Sequence, residues 1–236
     1  MLLNKFNAPS NEELLRVYNS KMHVFVPYEV NEQILKDIRR TYSSTKFFTD
    51  QSGNSGFGKL HRLLVALTDY KKIGYVQGIN FIAASFLWHC NEEFAYFLIL
   101  RLFEKLRMED IYSDNLLRVE KKSNEFFDLV LEGTSQEVHQ KLTGLGITPL
   151  MVLAEWVITL GLSSVPIEKH MNVILGLMER GWAYFFGLLL KYFRRLYACF
   201  KDLDFGDTLN VIKNNSDKRV REQFKLSIDW DAITQL

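Results

Sequence analysis

Apolar residues recur three and four positions apart through most of this chain, as at Leu60, Leu63, Leu64 and Leu67, while sustained alternation of Val, Ile and Thr is scarce. That spacing lines one face of a helix rather than one face of a strand. Only four prolines fall in 236 residues, so long helical runs are not interrupted. The pattern predicts an all-α protein, a single large multi-helix domain. At 47% hydrophobic and 14% aromatic content, such a domain fills its core without disulfide or metal staples.

Charge narrows the range of partners. The chain carries 29 basic and 28 acidic residues, a net charge of +1, and so lacks the basic footprint of a non-specific nucleic-acid binder. Cys90 and Cys199 lie far apart in apolar surroundings with no C-x-x-C spacing, and read as free, buried thiols in a reducing compartment. The first residues turn polar after Leu3, unlike a secretory signal. The longest uncharged apolar run, Ala183 to Leu190, is well short of the roughly 20 residues that cross a bilayer. These features predict a soluble, cytoplasmic chain without a transmembrane segment.

Caps and loops set the expected organisation. Pro9-Ser10-Asn11 opens a helix through Tyr18, and Val30-Asn31-Glu32 opens a second through about Tyr42, with Arg40 near its C-terminal end. Gly, Ser, Asn and Asp between Thr49 and Gly58 mark a loop before a helix from Lys59 to Tyr70. Gly74 to Asn80 is a second loop, with Asn80 expected to cap an apolar helix from Phe81 to Cys90. Further helices are expected over about 93–107, 115–132, 135–143, 149–161, 167–179 and 182–200. The segments Pro149 to Leu162 and Ala183 to Leu190 are apolar nearly all round, as in central helices. The division expected is a helical lead-in at 1–29, a main domain at 30–212, and a polar hinge with a short helical tail at 213–236.

Two stretches stand out chemically: Ile34-Leu-Lys-Asp37-Ile-Arg-Arg40-Thr41 and Gly74-Tyr75-Val-Gln77-Gly78. Taken alone, Arg40 reads as a surface residue paired with Asp37 one turn earlier. Gln77 alone reads as an ordinary loop amide beside a packed Tyr75. Together they supply a guanidinium held by a carboxylate and an amide presented between glycines. A phosphoryl-transfer transition state asks for such a pair, a cation for the spreading charge and an amide to orient water. In an extended loop Tyr75 and Gln77 face one side, so Tyr75 is expected to brace Gln77.

The two stretches resemble the I-x-x-D-x-x-R and Y-x-Q signatures of the TBC domain, the catalytic domain of GTPase-activating proteins for Rab-type GTPases. The match is Ile34, Asp37 and Arg40, then Tyr75 and Gln77, and the likeness extends over roughly residues 30–200. The chain departs from the family in lacking an R-x-x-x-W motif upstream of Ile34 and in carrying His170-Met171-Asn172 where a W-D pair is common. The resemblance implies a catalytic Arg40 and Gln77, supported by Asp37, Tyr75, Ile34 and Gly78. It further implies a Rab-type small GTPase as partner, with GTP and Mg²⁺ carried by that partner, no cofactor of the chain's own, and recruitment to endomembranes by peripheral association through partners. The alternative is a non-catalytic helical adaptor or effector that binds a small GTPase or another trafficking protein. Gly53 to Lys59 imitates a phosphate-binding loop, but Leu60 stands where Ser or Thr would bind Mg²⁺ and no apolar strand precedes it. The five histidines show no metal-ligand pairing.

Overall fold

The structure, a computed structural model, describes residues 9–49, 55–113, 116–215 and 217–235. The described residues are helical, joined by turns and short loops, with no strand among them. The all-α expectation holds. The helices gather into two compact units, Met1–Glu109 and Asp110–Leu236.

The first unit contains α1 (Asn11–Lys21), α2 (Tyr28–Arg40), α3 (Lys46–Thr49), α4 (Gly56–Leu67), α5 (Ile79–Leu87) and α6 (Glu92–Leu106). Its centre is α4, which touches each of the other five. Leu60, Leu63 and Leu64 are fully buried there, as their spacing requires. This helix starts three residues before the expected Lys59, because the Ser55 side chain accepts a hydrogen bond from the Gly58 N–H and caps it. Gly56 lies under Phe47 so closely that a Cβ would sit 2.4 Å from the Phe47 carbonyl oxygen. Ser55 to Lys59 therefore begins a packed helix; Gly53 and the rest of the expected loop from 50 to 54 lie outside the described residues. Glu92 joins three helices, receiving two hydrogen bonds of 2.9 Å from Arg62 and one of 3.0 Å from the Tyr18 hydroxyl.

The second unit follows α7 (Met108–Ser113), which contains the division in sequence. It holds α8 (Leu117–Glu125), α9 (Gln136–Gly144), α10 (Pro149–Thr159), α11 (His170–Arg180), α12 (Trp182–Phe200), α13 (Phe205–Lys213), α14 (Lys218–Gln223) and α15 (Trp230–Thr234). The helix expected over 115–132 is α8 followed by a π-helical turn at Phe126–Leu131, a local widening that periodicity does not reveal. Helix α10 is less enclosed than its composition suggests, since Met151 and Glu155 are exposed. In α12 the fully buried Tyr192 lies against Trp156 and Trp230, with ring centroids 4.6 and 5.9 Å away. Its hydroxyl donates to the Ile212 carbonyl at 2.8 Å and accepts from the Asn215 amide at 2.6 Å. The polar run from Lys213 to Glu222 carries α14, capped by Asp217. Cys90 and Cys199 are free but half-buried rather than buried, and burial raises the Cys90 thiol to about 12. Among the described residues no single helix is long and apolar enough to cross a membrane.

Candidate functional site

The site is built in the first unit, where the end of α2 meets the start of α5. Ile34 and Ile38, 0% and 1% exposed, press α2 into the core. Asp37 lies between them in the sequence and is itself only 1% exposed. A carboxylate so buried must be paired and hydrogen-bonded. Arg40 approaches one oxygen through a guanidinium nitrogen at 2.7 Å, and Gln33 donates to the same oxygen at 3.1 Å. The Tyr75 hydroxyl donates to the other at 2.7 Å. Burial raises the Tyr75 pKa well above the ordinary tyrosine value, and the bond to Asp37 and its negative charge add to the effect. The phenol thus remains a donor.

Arg40 keeps 52% of its side-chain surface exposed while its partner is enclosed. It occupies the last position of α2, and Thr41 then turns the chain to extended geometry at φ −78°, ψ 110°. The result is a cation held from behind by a buried anion and presented to solvent. Gln77 is also exposed, in the loop leading into α5. Glycines shape that loop: Gly74 has φ 69° and Gly78 has φ 111°, both in the region that side chains disfavour.

Asn80 does not cap the helix as expected. Helix α5 begins at Ile79 with Gly78 in the cap position, and Asn80 lies inside the first turn, wholly buried. Its side-chain oxygen reaches back to accept from the Gly78 N–H at 3.0 Å, and its amide nitrogen donates to the Thr41 hydroxyl at 2.7 Å. Thr41, also buried, donates its own hydroxyl hydrogen bond to the Asp37 carbonyl at 2.6 Å. Beside this chain the Tyr42 ring meets Phe81 edge-on at 5.5 Å.

Ile34, Asp37, Arg40, Tyr75, Gln77 and Gly78 are thus gathered at one place in the fold. Tyr75 differs from expectation, since its hydroxyl is engaged by Asp37 and so braces the arginine's partner. Gln33, Thr41 and Asn80 were missed as members of the cluster. The available signal was Asn80 itself, an amide heading the apolar run Phe81-Ile-Ala-Ala84, where burial demands a polar partner. Among the described residues no group of three His, Cys, Asp or Glu is placed to hold a metal ion.

The family model of the Rab-GTPase-TBC domain matches residues 4–208. Rab GTPase-activating protein tbc-11 of Caenorhabditis elegans is 25% identical over 212 residues, covering 86% of this chain and 22% of the relative. TBC1 domain family member 4 of Mus musculus is 31% identical over 170 residues, 70% of this chain and 12% of the relative. The chain therefore spans under a quarter of the length of either. The crystal structure of the Ypt/Rab-GAP domain of Gyp1p superposes with a TM-score of 0.71 at 14% identity, covering 94% of this chain and 77% of that one. The Chlamydomonas flagellar RabGAP TBC domain gives 0.70 at 18% identity, covering 98% and 74%. At those identities the likeness is one of fold.

Proposed function

The chain belongs to the Rab-GTPase-TBC domain family, and from that premise we propose that it accelerates GTP hydrolysis on a Rab-type small GTPase by lending Arg40 and Gln77 to the partner's nucleotide site. The observation that carries the reading is the exposed Arg40 guanidinium, anchored at 2.7 Å on a carboxylate that is 1% exposed. A long side chain fixed in this way has already lost rotamer freedom that docking would otherwise take from it. It reaches outward carrying charge where charge is needed.

In the proposed reaction Arg40 neutralises the negative charge that builds on the transferred phosphoryl group and the leaving oxygen. Gln77 orients the attacking water through its side-chain amide. An arginine supplied in trans contributes about 10³ to 10⁵ in rate, roughly 4 to 7 kcal/mol of barrier. Nucleotide and Mg²⁺ come with the GTPase, and this chain contributes only side chains. On this reading the same partner recruits the chain from the cytoplasm to endomembranes by peripheral association.

The test is single-turnover GTP hydrolysis by a panel of Rab-type GTPases, alone and with the wild-type chain, Arg40→Ala or Gln77→Ala. At least one GTPase is expected to be stimulated by the wild type, with about a thousandfold or greater loss for Arg40→Ala. Tight, GTP-dependent binding without stimulation would replace this reading with the non-catalytic adaptor. Full stimulation by Arg40→Ala would remove the arginine from the mechanism.

A further inference from the structure

We propose that Thr41 and Asn80 are positioning residues that fix the Gln77 loop to the Arg40 helix and so set the two side chains in register; this role rests on the GTPase-activating reading above. The two chain segments meet through two separate links. The outer one runs from Arg40 through the Asp37 carboxylate to the Tyr75 hydroxyl. The inner one runs from the Asp37 carbonyl through the Thr41 hydroxyl and the Asn80 carboxamide to the Gly78 N–H, with distances of 2.6, 2.7 and 3.0 Å.

The inner link has one direction of donation throughout. The Thr41 hydroxyl donates a hydrogen bond to the Asp37 carbonyl and accepts one from the Asn80 amide, and the Asn80 side-chain oxygen accepts one from the Gly78 N–H. Thr41 is 1% exposed and Asn80 0%, so water is poorly placed to substitute for a missing partner. The two ends of the chain matter for catalysis. At one end, Thr41 directly follows Arg40 and bonds to the backbone of the residue that holds it. At the other, Gly78 directly follows Gln77; a glycine has many conformations open to it besides its φ of 111°, and its N–H bond to the Asn80 side chain selects among them. Fixing the Gly78 N–H fixes the peptide that joins it to Gln77. Displacing such a group by about 1 Å costs on the order of a hundredfold in rate.

The experiment compares Thr41→Val, which keeps the shape and loses the hydroxyl, with Thr41→Ser, which restores it, and with Asn80→Ala. Two readouts are taken on each folded variant. The first is amide exchange at Gly78 in the isolated chain, which requires no GTPase. The second is the single-turnover rate of a stimulated GTPase at saturating chain, together with the dissociation constant for its GTP-bound form. Thr41→Val and Asn80→Ala are expected to speed Gly78 exchange and to lower the rate about ten- to a hundredfold, with binding within about twofold of wild type. Thr41→Ser is expected to behave as wild type in both readouts. The double variant Thr41→Val with Asn80→Ala is expected to be no slower than either single one, since both cut one link. Should Thr41→Val not fold, Asn80→Ala makes the same test from the other end.

Wild-type rates in Thr41→Val and Asn80→Ala, alongside an inactive Arg40→Ala, would overturn the positioning role and leave the functional reading standing. Unchanged Gly78 exchange would overturn the link itself. Loss of rate matched by equal loss of binding would make the pair part of the docking surface instead. If the wild-type chain stimulates no GTPase, the functional reading falls and the positioning role with it, while Gly78 exchange still reports whether the link exists.

Discussion

Arg40 and Asp37 sit one helical turn apart, yet one is half exposed and the other enclosed. That asymmetry decides how each should respond to substitution. Losing the arginine takes the counter-charge from the buried Asp37 carboxylate and leaves it two donors, Gln33 and Tyr75, so Arg40→Ala should cost about 1–3 kcal/mol in urea unfolding. Arg40→Lys keeps the charge but not the planar guanidinium, and single-turnover assays should find most of the stimulation still missing. Tyr75→Phe removes the donor from an oxygen that is buried and charged. It should destabilise the fold by about 1–3 kcal/mol, and thermal or urea unfolding will measure this. At this scale the sequence was legible in part. The Asp37 to Arg40 pair follows from helical spacing alone. The Tyr75 bond joins residues 38 apart, a separation at which no local pattern fixes a contact.

Helix α5 owes its start to a glycine. Gly78 takes the cap position at φ 111°, ψ −26°, so Gly78→Ala should cost about 1–3 kcal/mol and disturb the loop that carries Gln77. Two helical glycines of the second unit give opposite expectations. Gly187 in α12 has open space around an added Cβ, and Gly187→Ala should stabilise by about 0.5–1 kcal/mol. Gly176 in α11 has the Tyr184 ring 2.4 Å from that position, and Gly176→Ala should destabilise. Unfolding midpoints of the three variants test all three signs. Element types were readable because apolar spacing repeats over many turns. Element ends were less so. The Asn80 side chain has the chemistry of a cap, but its buried bond to Thr41 draws it inside the helix, and Gly78 takes its place.

On the scale of the whole molecule, acid should weaken the fold before its carboxylates titrate. His61 and His89 are held below the ordinary histidine value of 6.5 by burial, with the Arg62 charge adding to the effect at His61. A group with a lowered pKa binds fewer protons folded than unfolded. Stability is therefore retained above about pH 6.5 and falls as pH drops through that value. The urea midpoint should be lower at about pH 5.5 than at 7.5, and the double variant His61→Gln, His89→Gln should narrow the difference. Asp69, lowered to about 2 by Lys21 and Lys72, withdraws its contribution only in stronger acid, below its unfolded value of 3.8. The helical class and the Arg40 and Gln77 stretches could be read from the sequence, because both depend on local spacing. The buried chain from Thr41 to Asn80 depends on how α2 and α5 meet, which spacing does not encode. The central claim, that Arg40 acts on the transition state rather than in ground-state docking, is tested by the affinity of the chain for one stimulated GTPase in two forms: GTP-bound, and carrying GDP with aluminium fluoride as a mimic of the transferring phosphoryl group. The wild type should prefer the mimic by about a hundredfold or more, and Arg40→Ala should bind the GTP form normally but lose that preference. An undiminished preference for the mimic in Arg40→Ala would contradict the account.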